Sequence, residues 1–134
     1  MKHKFLTLAL AAIMALSMAS MASAAWSSRT ALDIPGWNSS KISDVYAIKT
    51  TDDSQCTFET FSNEAWGLYG VDGRLVNSEN QSRSNWVRNM HTGSTLHAAT
   101  TAVKNHYYWA ELSTDALEPN EITVSFRFSP DFES

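Results

Sequence analysis

The sequence predicts an all-β protein: a small antiparallel β-sandwich of about seven short strands that follows a cleaved signal peptide. Three observations lead there. After residue 24 no apolar stripe of useful length recurs at the helical period, so amphipathic helices are not expected. Runs rich in Val, Ile, Thr, Tyr, Phe and Trp recur about every 8–12 residues, with turn residues between them. The last run, 121–128, alternates without fault: Ile122, Val124, Phe126 and Phe128 on one side, Thr123, Ser125 and Arg127 on the other, with Pro130 as its stop.

The chain opens with Lys2 and Lys4, an apolar stretch over 5–16 and the small-residue site Ala22-Ser23-Ala24. That is the layout of a secretory signal, and the stretch falls short of the roughly 20 residues that span a bilayer. Cleavage between Ala24 and Ala25 and a secreted, extracellular product are expected. The 134 residues carry ten Lys and Arg against fourteen Asp and Glu; without the leader eight face fourteen, a net charge of −6. An acidic exported chain lacks the basic footprint of a nucleic-acid binder, and its mature part contains no transmembrane segment. The expected organisation is a signal peptide over 1–24, a loosely ordered N-terminal arm over 25–43 and the sandwich over 44–134. The arm has room for one edge strand near 30–34, before the turn signal Pro35-Gly36.

Within the sandwich, 44–51 is β-rich and stops at Asp52-Asp53-Ser54. The run 55–62 puts Cys56 and Phe58 on one face and then breaks phase at Phe61, as a bulge would. Cys56 is the only cysteine, so no intrachain disulfide can form and the core must hold the domain. Its expected role is a small buried hydrophobe. Asp72-Gly73, between the runs 65–71 and 74–77, signals a type I′ hairpin. Residues 77–84 are polar and read as a surface loop, and 85–90 as a strand with Trp86 and Arg88 opposite Val87. After the turn at 91–94, the runs 95–103 and 106–113 flank Lys104-Asn105 and suggest a second hairpin. Placing 102 opposite 106 puts Leu96/Leu112 and Ala98/Ala110 on one face, with His97/Glu111, Ala99/Trp109 and Thr101/Tyr107 on the other.

No catalytic pattern emerges. The histidines after the leader, His91, His97 and His106, are separated by six and nine residues, unlike the close pairs of zinc sites. His97 opposite Glu111 would make a cross-strand charge-assisted pair. G-x-S-x-G, H-E-x-x-H, P-loop and EF-hand patterns do not occur, and no local spacing predicts a glycosidase carboxylate pair. No enzyme, cofactor or metal is therefore expected. The surplus is aromatic: five Trp and four Tyr. Such rings serve either as core or, if solvent-facing, as a flat platform for sugar rings, peptide side chains or a partner protein. Tyr107, Trp109, His97 and Glu111 form the candidate binding surface.

Four short motifs punctuate this layout. They are Ser43-Asp44-Val45-Tyr46, Thr92-Gly93-Ser94, Tyr107-Tyr108-Trp109-Ala110-Glu111-Leu112 and Phe128-Ser129-Pro130-Asp131. With them the chain resembles an uncharacterised family of small secreted bacterial β-proteins, often associated with bacteriocin-type systems and their exporters. The family usually has Trp where Phe128 stands, and Cys56 has no counterpart there. The resemblance implies a small exported β-sandwich and transfers no catalytic residue. The expected function is that of a secreted, non-enzymatic binding protein, with a bacteriocin-like or export-accessory role as the form the resemblance implies. A carbohydrate- or cell-wall-binding module and a small hydrolase with an unrecognised site are the alternatives. Its partner would be a protein or a cell-envelope glycan; the oligomeric state is not legible in the sequence.

Overall fold

A computed structural model describes residues 25–64 and 70–134. Eight strands are found among them: β1 (Thr30–Ile34), β2 (Ser40–Ile48), β3 (Gln55–Asn63), β4 (Val71–Val76), β5 (Val87–Met90), β6 (Thr95–Ala99), β7 (Tyr107–Ser113) and β8 (Ile122–Ser129). They form two four-stranded sheets, ordered β1-β8-β3-β6 and β2-β7-β4-β5, and every pairing is antiparallel. The described residues contain no helix. The molecule is the small antiparallel β-sandwich that its alternation predicts. The expected signal peptide, and most of the strand expected at 65–71, lie outside the described residues.

The inner faces carry the core. On β8 the alternation holds along the strand, with Ile122, Val124, Phe126 and Phe128 all buried. Phe58 stacks on Phe126 and Phe128 at ring-centre distances of 6.5 and 5.8 Å. Leu75, Met90, Ala110 and Leu112 close the core from the opposite sheet. Cys56 lies fully buried on the β3 inner face, in phase with Phe58, and burial pushes its thiol pKa up to about 11.

Both expected hairpins are corrected. Asp72-Gly73 is not a turn but part of β4, where Gly73 has no positive φ. A Cβ on Gly73 would come within 2.8 Å of Met90 Sδ and 3.1 Å of the Phe58 ring, so the glycine permits close packing instead of a turn. The second correction concerns β6 and β7, which belong to opposite sheets: β6 pairs with β3, whereas β7 runs between β2 and β4. The turn at Lys104-Asn105 does form, with Asn105 at φ 70° and His106 N donating to Val103 O. The chain ahead of it has already left the sheet. Thr100 Oγ1 and Thr101 N donate to Arg83 O, which draws the segment away from β7. Among the described residues, the hydrogen-bonded strand pairs include only one of sequence neighbours, β4 and β5.

Residues 25–43, expected as a loosely ordered arm, are built into the sandwich. β1 is an edge strand on β8, with Leu32 and Ile34 buried, and β2 begins at Ser40. Ahead of β1, Ser27 N donates to Phe128 O and Phe128 N to Ser27 Oγ, while the Arg127 guanidinium stacks 4.0 Å from the Trp26 ring centre. Short apolar alternation in a Ser-rich stretch gives a weak signal, and partners almost a hundred residues away make it a strand.

Two bulges re-aim side chains. The β3–β8 register shifts between Thr60 and Ser62, at the phase break seen at Phe61. In β2, Ile42 faces Glu111 and Tyr46 faces Trp109, so residues 43–45 stand opposite the single Ala110. Ser43 Oγ accepts from Ala110 N at 3.0 Å and donates to Val45 O at 2.8 Å, replacing the interrupted ladder. Beyond this bulge Tyr46 emerges on the outer face.

Candidate ligand-binding face

β7 alternates strictly: Tyr108, Ala110 and Leu112 are buried, while Tyr107, Trp109 and Glu111 point outward. Pairing with β2 sets Tyr46 beside Trp109, and pairing with β4 sets Arg74 beside Glu111. Three rings therefore share one surface. Tyr46 meets Tyr107 edge-on at 5.1 Å between centres and leans on Trp109 at 5.7 Å. Tyr46 and Tyr107 remain 56% and 53% exposed, and Trp109 is half-buried.

Polar grooves flank the strip at its two ends. One, of about 470 Å³, runs beside Tyr107 and Trp109 and is walled by Arg83, Asn77, Asn105 and His106. Its wall is pre-ordered. Arg83 N donates to Leu75 O, and Asn77 Oδ1 accepts from the amides of Glu79 and Gln81. The other groove, of about 360 Å³, lies beyond Glu111. There Arg74 Nε pairs with Glu111 Oε1 at 2.6 Å while its guanidinium covers the Trp86 ring at 4.3 Å, and Arg88 Nη1 pairs with Asp72 Oδ2 at 2.6 Å. Along β7 the first groove reaches Trp109 and the second begins at Glu111, about 7 Å further on at the usual rise.

Of the four residues singled out in the sequence, Tyr107, Trp109 and Glu111 share this face and His97 does not. His97 lies on β6 in the other sheet, where Nδ1 is 3.0 Å from Thr57 Oγ1 and the ring stacks on Phe132 at 4.5 Å. The expected His97–Glu111 pair therefore does not form; Glu111 takes Arg74 instead. Tyr46, Arg74 and Arg83 complete the face and were not singled out. The place of Tyr46 beside Trp109 depends on the bulge in β2.

A second polar cluster sits near the C-terminus. Lys49, buried to 1% exposure, directs its ammonium at Asp53, Asp131 and the Pro130 carbonyl at 3.0–3.2 Å. Asp131 also accepts from the amides and hydroxyls of Thr50 and Thr51. Burial works to raise the Asp131 pKa, yet these hydrogen bonds outweigh it and hold the carboxyl below its ordinary value. Every donor of the ammonium has an acceptor, and the cluster ties the tail to the β2–β3 connection. It is a structural lock. Among the described residues, no group of three or more His, Cys, Asp or Glu could hold a metal ion, and no helix is long and apolar enough to cross a membrane.

No family model, curated protein or solved structure matches this chain. The functional reading therefore rests on the outer face of the β2-β7-β4-β5 sheet.

Proposed function

We propose that this protein is exported and acts by binding rather than catalysis, holding a cell-envelope glycan against the outer face of the β2-β7-β4-β5 sheet. The observation that carries this reading is the strip of Tyr46, Trp109 and Tyr107, aromatic and exposed on the outer face of the sheet. A pyranose ring offers an apolar C–H face that packs on an aromatic face, with hydroxyls around its rim. Polar groups beside the rings, here Asn105, His106 and Arg83, suit that rim. A stable protein interface buries about 800 Å² on each side around an apolar centre. Three rings between two polar grooves match a chain of sugars better than such a partner.

The test is retention on isolated cell walls and affinity for soluble glycans, read by tryptophan fluorescence. Trp109→Ala should weaken binding more than about tenfold, the loss typical of a central aromatic contact. Glycan binding that survives both Trp109→Ala and Tyr107→Ala would sink this reading. Killing of related cells by a protein that retains no glycan would replace it with the bacteriocin-like role.

A further inference from the structure

We infer that the groove beside Tyr107 and Trp109 receives a sugar bearing a carboxylate, with Arg83 as its counter-charge. This deepens the glycan-binding reading and rests on it. Four of the chain's five arginines have their charge answered within the fold. Arg74, Arg88 and Arg127 each meet a carboxylate at 2.6 Å, and Arg29 lies over the Phe61 ring at 4.1 Å. Arg83 differs. Its Nη1 donates to Ser82 O at 2.9 Å and its Nη2 to the Gln81 amide oxygen at 3.1 Å, both neutral acceptors. A guanidinium has five N–H donors, so several remain for a ligand.

The surroundings favour an anion. In a chain with more acids than bases, no Asp or Glu among the described residues lines this groove, and His106 lies along the same wall. Glu79, on the same loop, is exposed and outside the lining. The other groove holds Asp72 and Glu111, already paired with its two arginines. Arg83 is also held in position. Its amide donates to Leu75 O at 2.8 Å, and its carbonyl accepts from Thr101 N at 2.8 Å and Thr100 Oγ1 at 2.6 Å. The guanidinium, already held by Ser82 O and the Gln81 amide oxygen, loses less freedom than an unrestrained arginine on engaging a carboxylate through two parallel hydrogen bonds. Tyr107 and Trp109 alongside would seat the ring that bears it.

Uronic acids and amino sugars with a lactyl ether are two classes of sugar that carry such a group. The experiment pairs each with a neutral counterpart, oligogalacturonate against its methyl ester and muramic-acid glycan strands against chito-oligosaccharides. For at least one pair the acidic member should bind more tightly, with a preference that shrinks as salt rises. Arg83→Gln should weaken the acidic ligand about tenfold more than the neutral one, because a charge-assisted contact is lost. Arg83→Lys should recover part of the loss, since it restores charge without the fork. Both variants keep the backbone anchors, and matching unfolding midpoints would show an intact fold. If Arg83→Gln leaves acidic binding unchanged while Trp109→Ala abolishes it, the carboxylate inference falls and the glycan reading stands. If acidic and neutral members bind alike, the inference is overturned as well. If no glycan of either kind binds, both fail.

Discussion

Asp131 shows how one side chain ends a fold. Its carboxylate gathers the ammonium of Lys49 and the amides and hydroxyls of Thr50 and Thr51, so the tail after β8 is tied to the β2–β3 connection. Asp53 joins the same ammonium and accepts from Phe132 N and from the Thr51 hydroxyl. Burial would raise both carboxyls, but their hydrogen bonds hold both below the ordinary 3.8. A depressed folded pKa adds stability that is fully present above the unfolded value and disappears as pH falls through the folded one. Urea midpoints should therefore decline as pH drops below about 3.8, and the decline should be shallower in Asp131→Asn. Near neutral pH that variant should lose about 1–3 kcal/mol, the usual cost of leaving buried donors short of a partner, since Asp53 still answers the Lys49 charge. Identical pH profiles in both proteins would show that Asp131 does not anchor the tail.

The strand β7 reaches both functions of the molecule through its two faces. Leu112 is fully buried against the core, and Trp109, three residues earlier, forms the outer strip. Leu112→Ala should cost about 2–5 kcal/mol by emptying a packed leucine site. Trp109→Ala removes a half-exposed ring and should lower stability less, while it impairs binding. Urea unfolding of both, with unchanged slopes, makes the comparison directly. A larger loss for Trp109→Ala would mean that the ring supports the fold and that the strip is not a free platform. The correction of the β6–β7 hairpin leaves this expectation intact, because alternation along β7 does not depend on its pairing partner.

The sandwich is closed by connections that almost all cross from one sheet to the other, so its ends depend on distant segments. β1 shows this most directly. It contributes Leu32 and Ile34 to the core and hydrogen-bonds β8 from the far end of the chain. Each such residue adds about 1.5–3 kcal/mol when fully buried. A native domain has a margin of only roughly 5–15 kcal/mol. A protein beginning at Asn38, which lacks β1 and keeps β2 whole, should therefore show a steep fall in melting temperature or lose its cooperative transition, followed by circular dichroism. A truncated protein that melts cooperatively near the full-length temperature would show that β1 is dispensable.

Strand identity was legible in the residues because alternation is local: a side chain's face follows from its neighbours two positions away. Hence the all-β class, the β8 pattern, the break at Phe61, the turn at Gly93 and the burial of Cys56 can be read without a structure. So can the outward phase of Tyr107, Trp109 and Glu111. Partnership was not legible, since it depends on contacts that no short window contains. Lys104-Asn105 does make its turn, yet the hydrogen bonds of Thr100 and Thr101 to Arg83 send β6 to the other sheet. Asp72-Gly73 has the composition of a turn, but the Met90 and Phe58 side chains beside Gly73 require a residue without a Cβ inside a strand. The binding face divides the same way. Alternation along β7 assigned its rings to one side, whereas the Ser43 bulge, the β4 pairing and the anchored Arg83 loop brought Tyr46, Arg74 and Arg83 to them and left His97 on the opposite sheet.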